Sequence, residues 1–234
     1  MEGRTRTVLI TGAGGNLGRA LAAHFARTGA QLVLVDLDLE RLRQAYGNDH
    51  ATQMLAPANL LAQDEVNAVA RAACARFGGI DVLCNIAGGF RMGPPVHETP
   101  DQDWNQLFDL NARSVLHAVR AVVPHMKAAQ GGKIVSVSAN AALKGAAHMG
   151  AYSASKDVVI RITEAMAAEL RDDCINVNCV LPSVIDTPEN RSAMPDADFS
   201  RWVTPDALSE VIVFLASDGA RAINGAAIPV VGRA

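Results

Sequence analysis

The sequence predicts an α/β fold, a doubly wound parallel sheet with helices on both faces. Short runs rich in valine, isoleucine and leucine alternate along the chain with longer stretches of helical period. Strands that are apolar throughout are typical of a parallel sheet covered on both sides. A glycine-rich turn, residues 11–18, separates the first apolar run from the first helical stretch. No repeat, low-complexity tract or linker interrupts the sequence, so we expect one domain over 1–234.

The apolar runs and the glycines predict the order of the elements. Strands are predicted at 7–10, 31–35, 52–55, 80–84, 134–137, 175–180 and 227–230. Helices are predicted at 17–28, 38–46, 62–77 and 103–130, from about Tyr152 to 171, and at 205–217. Gly29 and Gly78 end two of these helices, and Pro124 should kink or break the longest one. Residues 186–204 show no period, and loops of that length are usually functional, so this segment is the candidate substrate lid.

Composition excludes several classes of function. Apolar residues make up 50% of the chain and the net charge is −3, so the sequence has a large core and no basic footprint for nucleic acid. The first residues lack the apolar stretch of a signal peptide, and no run of about 18 apolar residues could span a membrane. The four cysteines form no CxxC pair and no metal-ligand set with histidine. We therefore expect a cytoplasmic protein with reduced thiols, no metal site and no membrane or nucleic-acid partner.

The glycine-rich turn is suited to a dinucleotide. Gly12, Gly14 and Gly18 let a pyrophosphate approach the backbone closely. The helix predicted from about Leu17 has free N–H groups that can bind the anion, and Asn16 lies directly before it. Such a turn on its own could be an ordinary loop, but this one follows a strand and precedes a helix.

Asp36 closes the second predicted strand. A carboxylate there accepts hydrogen bonds from the adenosine ribose and repels a 2′-phosphate. Leu37 follows, and no arginine or lysine flanks Asp36 in the sequence, so we expect NAD to be preferred over NADP. The alternative is that Asp36 is only the N-cap of the next helix.

Tyr152 and Lys156 share one face of a predicted helix, since they are four residues apart. An ammonium beside a phenol favours the phenolate, so Lys156 is expected to lower the pKa of Tyr152 from its usual value of about 10. The phenol then becomes an acid and base usable near neutral pH. A proton relay next to a dinucleotide turn indicates a nicotinamide-dependent oxidoreductase.

These motifs resemble those of the short-chain dehydrogenase/reductase family over nearly the whole chain. The matching positions, in order, are Thr11 to Gly18, then Asn85, Ala87 and Gly88, Asn111, Tyr152 and Lys156, Pro182, and Thr187. The resemblance implies a single Rossmann-type domain with about seven strands in the order 3-2-1-4-5-6-7. It also implies hydride transfer between nicotinamide and a carbonyl, alcohol or imine, and a homodimer or homotetramer built on the helix before the fifth strand and the Tyr152 helix.

The resemblance assigns roles to individual residues. Tyr152 would be the general acid or base, Lys156 would hold the nicotinamide ribose, and Asn111 would support a water chain, although Asn111 could also be structural. Asn16 stands at the family's middle glycine, and asparagine tolerates the positive φ that a glycine can adopt. The further cofactor contacts implied by the resemblance are Asn59, Leu60, Asn85, Ala87, Gly88, Pro182, Ile185 and Thr187.

The family's catalytic serine is missing, because Ala139 occupies its position thirteen residues before Tyr152. Ser138 lies one position early and would normally face away, unless a bulge re-aims it. Asn140 is the other possible donor. A chain without that group could also be a non-catalytic dinucleotide sensor, although Tyr152, Lys156 and Asn111 argue against this.

The C-terminal half resembles dihydropteridine reductase, which also carries alanine or glycine around the serine position. The shared features are the Ala87 to Phe90 turn and the run from Leu181 to Trp202. This resemblance implies a planar, conjugated acceptor, which hydride can reach without a strong donor on a carbonyl. Phe90 and Trp202 could stack on such a ring or simply pack, and His148 could line the pocket or lie on the surface.

Overall fold

The computed structural model describes residues 5–233 and contains one seven-stranded parallel sheet. The strand order is β3-β2-β1-β4-β5-β6-β7, as predicted. The strands are β1 Thr7–Thr11, β2 Gln31–Asp36, β3 Gln53–Pro57, β4 Val82–Asn85, β5 Gly132–Val137, β6 Ile175–Pro182 and β7 Ala227–Val230. The predicted α/β class and strand order are therefore confirmed.

Eight α-helices connect or flank these strands within residues 5–233. They are α1 Asn16–Arg27, α2 Leu39–Tyr46, α3 Gln63–Phe77, α4 Asp101–Phe108, α5 Ser114–Ala128, α6 Gly150–Leu170, α7 Pro188–Ala193 and α8 Pro205–Leu215. Gly29 and Gly78 have φ of 79° and 83°, the left-handed conformation that ends a helix.

Two apolar cores cover the two faces of the sheet. Leu9, Val33 and Leu83 point to the face packed by α3, α5 and α6. Val8 and Ile10 point to the opposite face, packed by α1 and α8. Alternate residues of one strand therefore enter different cores, which is why the strands are apolar throughout.

The long helix predicted at 103–130 is interrupted at a different place from the one expected. Pro124 lies inside α5, while the break is a π-helical segment, Asp109–Arg113, between α4 and α5. A π segment inserts one extra residue and often marks a functional site. This insertion turns Asn111 toward the backbone of Gly89.

The carboxyl ends of the central strands form the edge where a ligand is expected. β1 pairs with β2 on one side and with β4 on the other. The strands after β1 are first added on one side of it and then, from β4 onward, on the other side. In open α/β sheets ligands bind outside the carboxyl ends at such a switch point. At this edge a Cβ at Gly12 would lie 2.8 Å from the backbone of Ala87, so the turns after β1 and β4 are in close contact.

The segment 186–204, predicted as a loop, contains short helical pieces. Thr187 caps α7 by accepting a hydrogen bond from the Asn190 N–H, and a 3-10 turn, Phe199–Arg201, follows. No helix within residues 5–233 is long and apolar enough to cross a membrane. The same part of the chain contains no cluster of His, Cys, Asp and Glu that could hold a metal ion.

Candidate active site

The glycine-rich turn leads directly into α1. Gly12 has φ of 66°. Gly15 is the N-cap of α1, and since it has no side chain, it does not cap the free N–H groups of the helix. A Cβ at Gly18 would lie 2.7 Å from Ala13 Cα, so only glycine allows the helix to approach the turn this closely. The first turn of α1 carries no acidic residue. A backbone cradle at the N-terminus of a 12-residue helix fits the diphosphate of a dinucleotide.

Asn16 is the first residue of α1, and its φ is negative. Asparagine's tolerance of a positive φ is therefore not used here, because the position belongs to the helix itself. Its side chain instead donates from Nδ2 to Glu189 Oε2 at 2.7 Å, in α7. Leu17, also predicted near the anion, is buried at the start of the same helix.

Asp36 is held against the glycine-rich turn. Its Oδ2 accepts the Gly14 N–H at 2.9 Å, and its Oδ1 accepts the Leu37 N–H at 2.9 Å. The N-cap of α2 is Asp38, whose side chain accepts from the Glu40 and Arg41 amides. The alternative of Asp36 as that N-cap is thus excluded, and its carboxylate lies beside the glycine-rich turn.

Arg41 is a basic neighbour of Asp36 that the sequence did not reveal. Its Nε donates to the Gly14 carbonyl at 3.1 Å, and a Cβ at Gly14 would lie 3.0 Å from both Arg41 Cγ and Asp36 Oδ2. The residues directly next to Asp36 in the sequence carry no positive charge, so the local sequence gives no sign of this cation. Arg41 is five positions after Asp36, and the first turn of α2 places its side chain against Gly14.

The turn after β4 brings a second set of predicted residues to the same edge. The N–H groups of Ile86 and Ala87 donate to Thr11 Oγ1 at 3.1 and 3.3 Å. Asn85 is buried and donates to Ser136 Oγ, while its Oδ1 has no hydrogen-bond partner within the described residues. A Cβ at Gly88 would lie 2.9 Å from Lys156 Nζ, so this turn passes close to the lysine ammonium.

Asn59 and Leu60, two of the predicted cofactor contacts, lie in the turn after β3, and both form hydrogen bonds within the protein. Asn59 Oδ1 accepts the Leu61 N–H at 2.9 Å, and the Asn59 N–H donates to Glu65. The Leu60 carbonyl accepts from His117 Nδ1 at 2.9 Å. Of the remaining predicted contacts, Pro182 is the last residue of β6, and Ile185 and Thr187 follow it at the carboxyl edge of the sheet.

Tyr152 and Lys156 lie on α6 as predicted, but burial shifts both pKa values. Burial raises the pKa of Tyr152 to about 12 and lowers the pKa of Lys156 to about 8. Lys156 Nζ donates to the Val137 carbonyl at 3.0 Å. The expectation that Lys156 lowers the pKa of the phenol is wrong for the protein on its own, because desolvation of the phenol dominates and the ammonium is directed at a backbone carbonyl.

Asn111 uses its whole side-chain amide in hydrogen bonds. Oδ1 accepts the Gly89 N–H at 2.8 Å, and Nδ2 donates to the Gly89 carbonyl at 3.1 Å and to Ser155 Oγ at 3.0 Å. Ser155 Oγ donates in turn to the Tyr152 carbonyl at 2.8 Å. Ser155 was not predicted as a site residue, although it lies between Tyr152 and Lys156 in the motif that the sequence shows.

Comparison with known proteins agrees with this geometry. A family model described as short chain dehydrogenase matches residues 6–198. The chain is 32% identical over 97% of its length to D-threitol dehydrogenase of Mycolicibacterium smegmatis, and it covers 92% of that protein. The chain belongs to the short-chain dehydrogenase family.

Two solved structures of this family carry different cofactors. One is 3-ketoacyl-(acyl-carrier-protein) reductase from Brucella melitensis complexed with NADH, with a TM-score of 0.86, 29% identity and 98% of each chain covered. The other is gluconate 5-dehydrogenase from Burkholderia cenocepacia in complex with NADP and tartrate, with a TM-score of 0.89, 30% identity, and 98% and 94% of the two chains covered. The present chain is thus an NAD(P)-dependent oxidoreductase of the short-chain dehydrogenase family, which confirms the family, the reaction class and a nicotinamide dinucleotide as cofactor.

This short-chain dehydrogenase lacks a hydroxyl at the position of the family's serine. Ala139 is extended, with φ of −155° and ψ of 150°, and the Ser138 N–H still pairs with the Val180 carbonyl. The regular geometry gives no sign of the bulge that could re-aim Ser138. The Ser138 hydroxyl is buried and donates to the Lys156 carbonyl at 2.7 Å, while Asn140 is exposed.

Two of the predicted substrate residues lie beside Tyr152. The ring of Phe90 meets the ring of Tyr152 edge-on, with centroids 4.9 Å apart, and Phe90 is 59% exposed. His148 has φ of 64° and lines a cavity with Tyr152 and Arg91. Trp202 packs instead on Phe199, with ring centroids 4.8 Å apart in the lid segment.

Proposed function

We propose that this short-chain dehydrogenase transfers a hydride between NAD(H) and a carbonyl or alcohol substrate, with Tyr152 as general acid or base. The observation that carries the proposal is the meeting of Lys156 and Asn111 beside Gly88, with Tyr152 one helical turn away. A Cβ there would lie 2.9 Å from Lys156 Nζ and 3.0 Å from Asn111 Oδ1, and Tyr152 lies one turn before Lys156 on α6. The proton-transfer groups therefore border the turn where the nicotinamide end of the cofactor is expected.

Each group has a separate task in this proposal. The bound nicotinamide supplies or accepts the hydride. The phenol of Tyr152 is protonated at neutral pH, since burial raises its pKa to about 12, so it can donate a proton to the substrate oxygen during reduction. Lys156 holds the nicotinamide ribose, and the Asn111 amide fixes Gly89 and, through Ser155, the backbone of Tyr152.

NAD is proposed as the preferred cofactor. The Asp36 carboxylate is anchored by the Gly14 and Leu37 amides, so it cannot easily move away from a 2′-phosphate. Arg41 lies on the same glycine and partly offsets that repulsion. The balance favours NAD because the carboxylate is fixed by two backbone hydrogen bonds, whereas the guanidinium end of exposed Arg41 is held through Nε alone.

Reduction of a planar dihydropterin-like imine is the second candidate. It is favoured by one observation, the loss of the hydroxyl at Ala139 together with the commitment of the Ser138 hydroxyl to the backbone of α6. Losing an oxyanion donor typically costs about 10²–10³ in rate when a carbonyl must be polarised. A conjugated acceptor needs less help, and the exposed ring of Phe90 offers a surface for it to stack on.

The test is NADH oxidation by the purified protein. One assay contains quinonoid dihydropterin, and the other contains a panel of ketones and aldehydes. We expect turnover in at least one assay, and a fall of about 10²–10⁴-fold in Tyr152→Phe with NADH affinity retained. Turnover that is unchanged in Tyr152→Phe would overturn the role of Tyr152. NADH binding without any turnover would favour a dinucleotide sensor instead.

We further propose a cytoplasmic homodimer or homotetramer. Support comes from the apolar residues on the helices that the family resemblance places at the interface. Val123 on α5 and Ile162 on α6 are partly exposed at the edge of one core, while Val159 and Met166 on α6 are buried within it.

A further inference from the structure

Asn16 and Glu189 join the phosphate-binding turn to the lid segment. Asn16 Nδ2 donates to Glu189 Oε2 at 2.7 Å across 173 positions of sequence. Asn16 begins α1 in the glycine-rich turn, and Glu189 lies in α7, two residues after Thr187. The contact therefore closes the edge of the site between its two predicted cofactor-binding elements.

The orientation of the Asn16 amide is fixed from the other side. Arg19, one turn further along α1, donates from Nη2 to Asn16 Oδ1 at 2.8 Å. Because a guanidinium can only donate, the Asn16 oxygen must face Arg19 and the NH₂ group must face the carboxylate. Arg19 also attracts the charge of Glu189, which offsets the cost of placing a carboxylate near a phosphate site.

The lid segment is braced so that a contact at Glu189 can hold the whole of α7. Arg191 forms two hydrogen bonds to Asp186, at 2.5 and 2.8 Å, and its guanidinium lies 4.8 Å from the ring centroid of Phe199. Asn190 Nδ2 donates to the Ile185 carbonyl at 2.8 Å. These internal contacts tie α7 to the connection that follows β6 and to the 3-10 turn Phe199–Arg201.

We propose that Asn16 and Glu189 form a latch that holds α7 over the phosphate-binding turn and slows release of the dinucleotide. The proposal rests on the proposed function, since it assumes a dinucleotide in that turn. Both residues are positioning residues, because they act through the closed position of α7. Asn16 stands at the family's middle glycine, and a glycine would have no side chain to form this contact.

The latch is exposed, so its effect should be moderate. A hydrogen bond between exposed side chains changes an equilibrium by about 3- to 10-fold. Affinity differences between related complexes appear mostly in the dissociation rate. We therefore expect NADH to leave about 3- to 10-fold faster from Glu189→Ala and from Asn16→Ala, with little change in the association rate.

The experiment compares Asn16→Ala, Glu189→Ala and the double variant. Glu169→Ala, which removes an exposed glutamate from α6, is the matched control. NADH release is followed by stopped-flow fluorescence. Trypsin cleavage after Arg191 is measured separately in protein without nucleotide, where opening of α7 should expose the bond. Both single variants should be cut faster than wild type, and the double variant should be no worse than the singles, since one contact is lost in each case.

A conservative variant separates the latch from a simple charge effect. Glu189→Gln keeps an acceptor oxygen on a side chain of equal length, so it should release NADH nearly as slowly as wild type. Slower release or tighter NADH binding in Glu189→Ala would overturn the proposal, because the carboxylate would then oppose the diphosphate. Additive effects in the double variant, or cleavage like that of wild type, would overturn it as well. The cleavage result does not depend on turnover, so failure of the proposed function would leave it standing.

Discussion

Lys156 and Tyr152 titrate in unusual ranges because Lys156 is buried beside the carboxyl edge of β5 and Tyr152 is partly buried one turn before it on α6. The pKa of Lys156 falls to about 8, and the pKa of Tyr152 rises to about 12. For each group burial disfavours the charged form. At neutral pH the phenol is therefore a proton donor, and the lysine ammonium is retained at a cost in stability. A bound cofactor that contacts Lys156 would change that balance.

The Lys156 shift predicts how stability depends on pH. A base with a lower pKa in the folded state binds fewer protons there than in the unfolded state. Stability should therefore rise with pH between about 8 and the unfolded value of about 10.4, by at most about 1.4 kcal/mol per pH unit. Lys156→Met is the control, since it removes the titrating group and keeps an unbranched side chain only one atom shorter.

The measurement is urea unfolding of both proteins at several pH values. The difference in free energy of unfolding, wild type minus Lys156→Met, should be flat below about pH 8 and rise above it. A difference that stays flat up to about pH 10 would mean that the pKa of Lys156 is not lowered in the folded protein.

At the scale of elements, α2 separates two neighbouring aspartates with different tasks. Asp38 caps the helix through the Glu40 and Arg41 amides, whereas Asp36 faces Gly14. Asp38→Ala should lower the free energy of unfolding by about 1 kcal/mol and leave the ratio of NADH to NADPH affinity near its wild-type value. Asp36→Ala should move that ratio toward NADPH by about 10-fold, because Arg41 remains and the repelling carboxylate is gone.

Equilibrium binding of NADH and NADPH to wild type, Asp38→Ala and Asp36→Ala tests both predictions. Wild type should bind NADH more tightly than NADPH. Tighter NADPH binding by wild type, or an equal change of the ratio in both variants, would contradict the assignment of Asp36.

The helices and strands could be predicted from local sequence, but the place where the long helix is interrupted could not. The glycines after α1 and α3 and the apolar runs of the strands fixed most boundaries to within a few residues. The π segment around Asn111 depends on hydrogen bonds to Gly89, 22 positions away, so no local period reveals it. Pro124 is tolerated inside α5, although a local rule predicts a break there.

The candidate site shows the same contrast between residues with a local sequence signal and residues that only the tertiary structure brings in. Tyr152, Lys156 and the glycine-rich turn could be predicted because their spacing carries the chemistry. Arg41 and Glu189 could not, because each reaches the turn through tertiary contact, across 27 positions to Gly14 and 173 positions to Asn16.

At the scale of the whole molecule, α3, α5 and α6 cover one face of the sheet, and partly buried apolar side chains of α5 and α6 lie at the margin of its core. Leu116 and Val123 on α5 and Ile162 on α6 pack against the core without being fully enclosed by it. In an oligomer these positions would be covered by a second copy. The catalytic helix would then be held from both sides, by the sheet and by the partner.

Oligomer formation predicts a mass and a concentration dependence. Light scattering should give two or four times the 24.6 kDa mass of the chain. Because association stabilises only the folded state, the midpoint of thermal unfolding should rise when the protein concentration is increased about a hundred-fold. A mass of one chain together with a constant midpoint would show a monomer, and α6 would then be positioned by the contacts within its own chain alone.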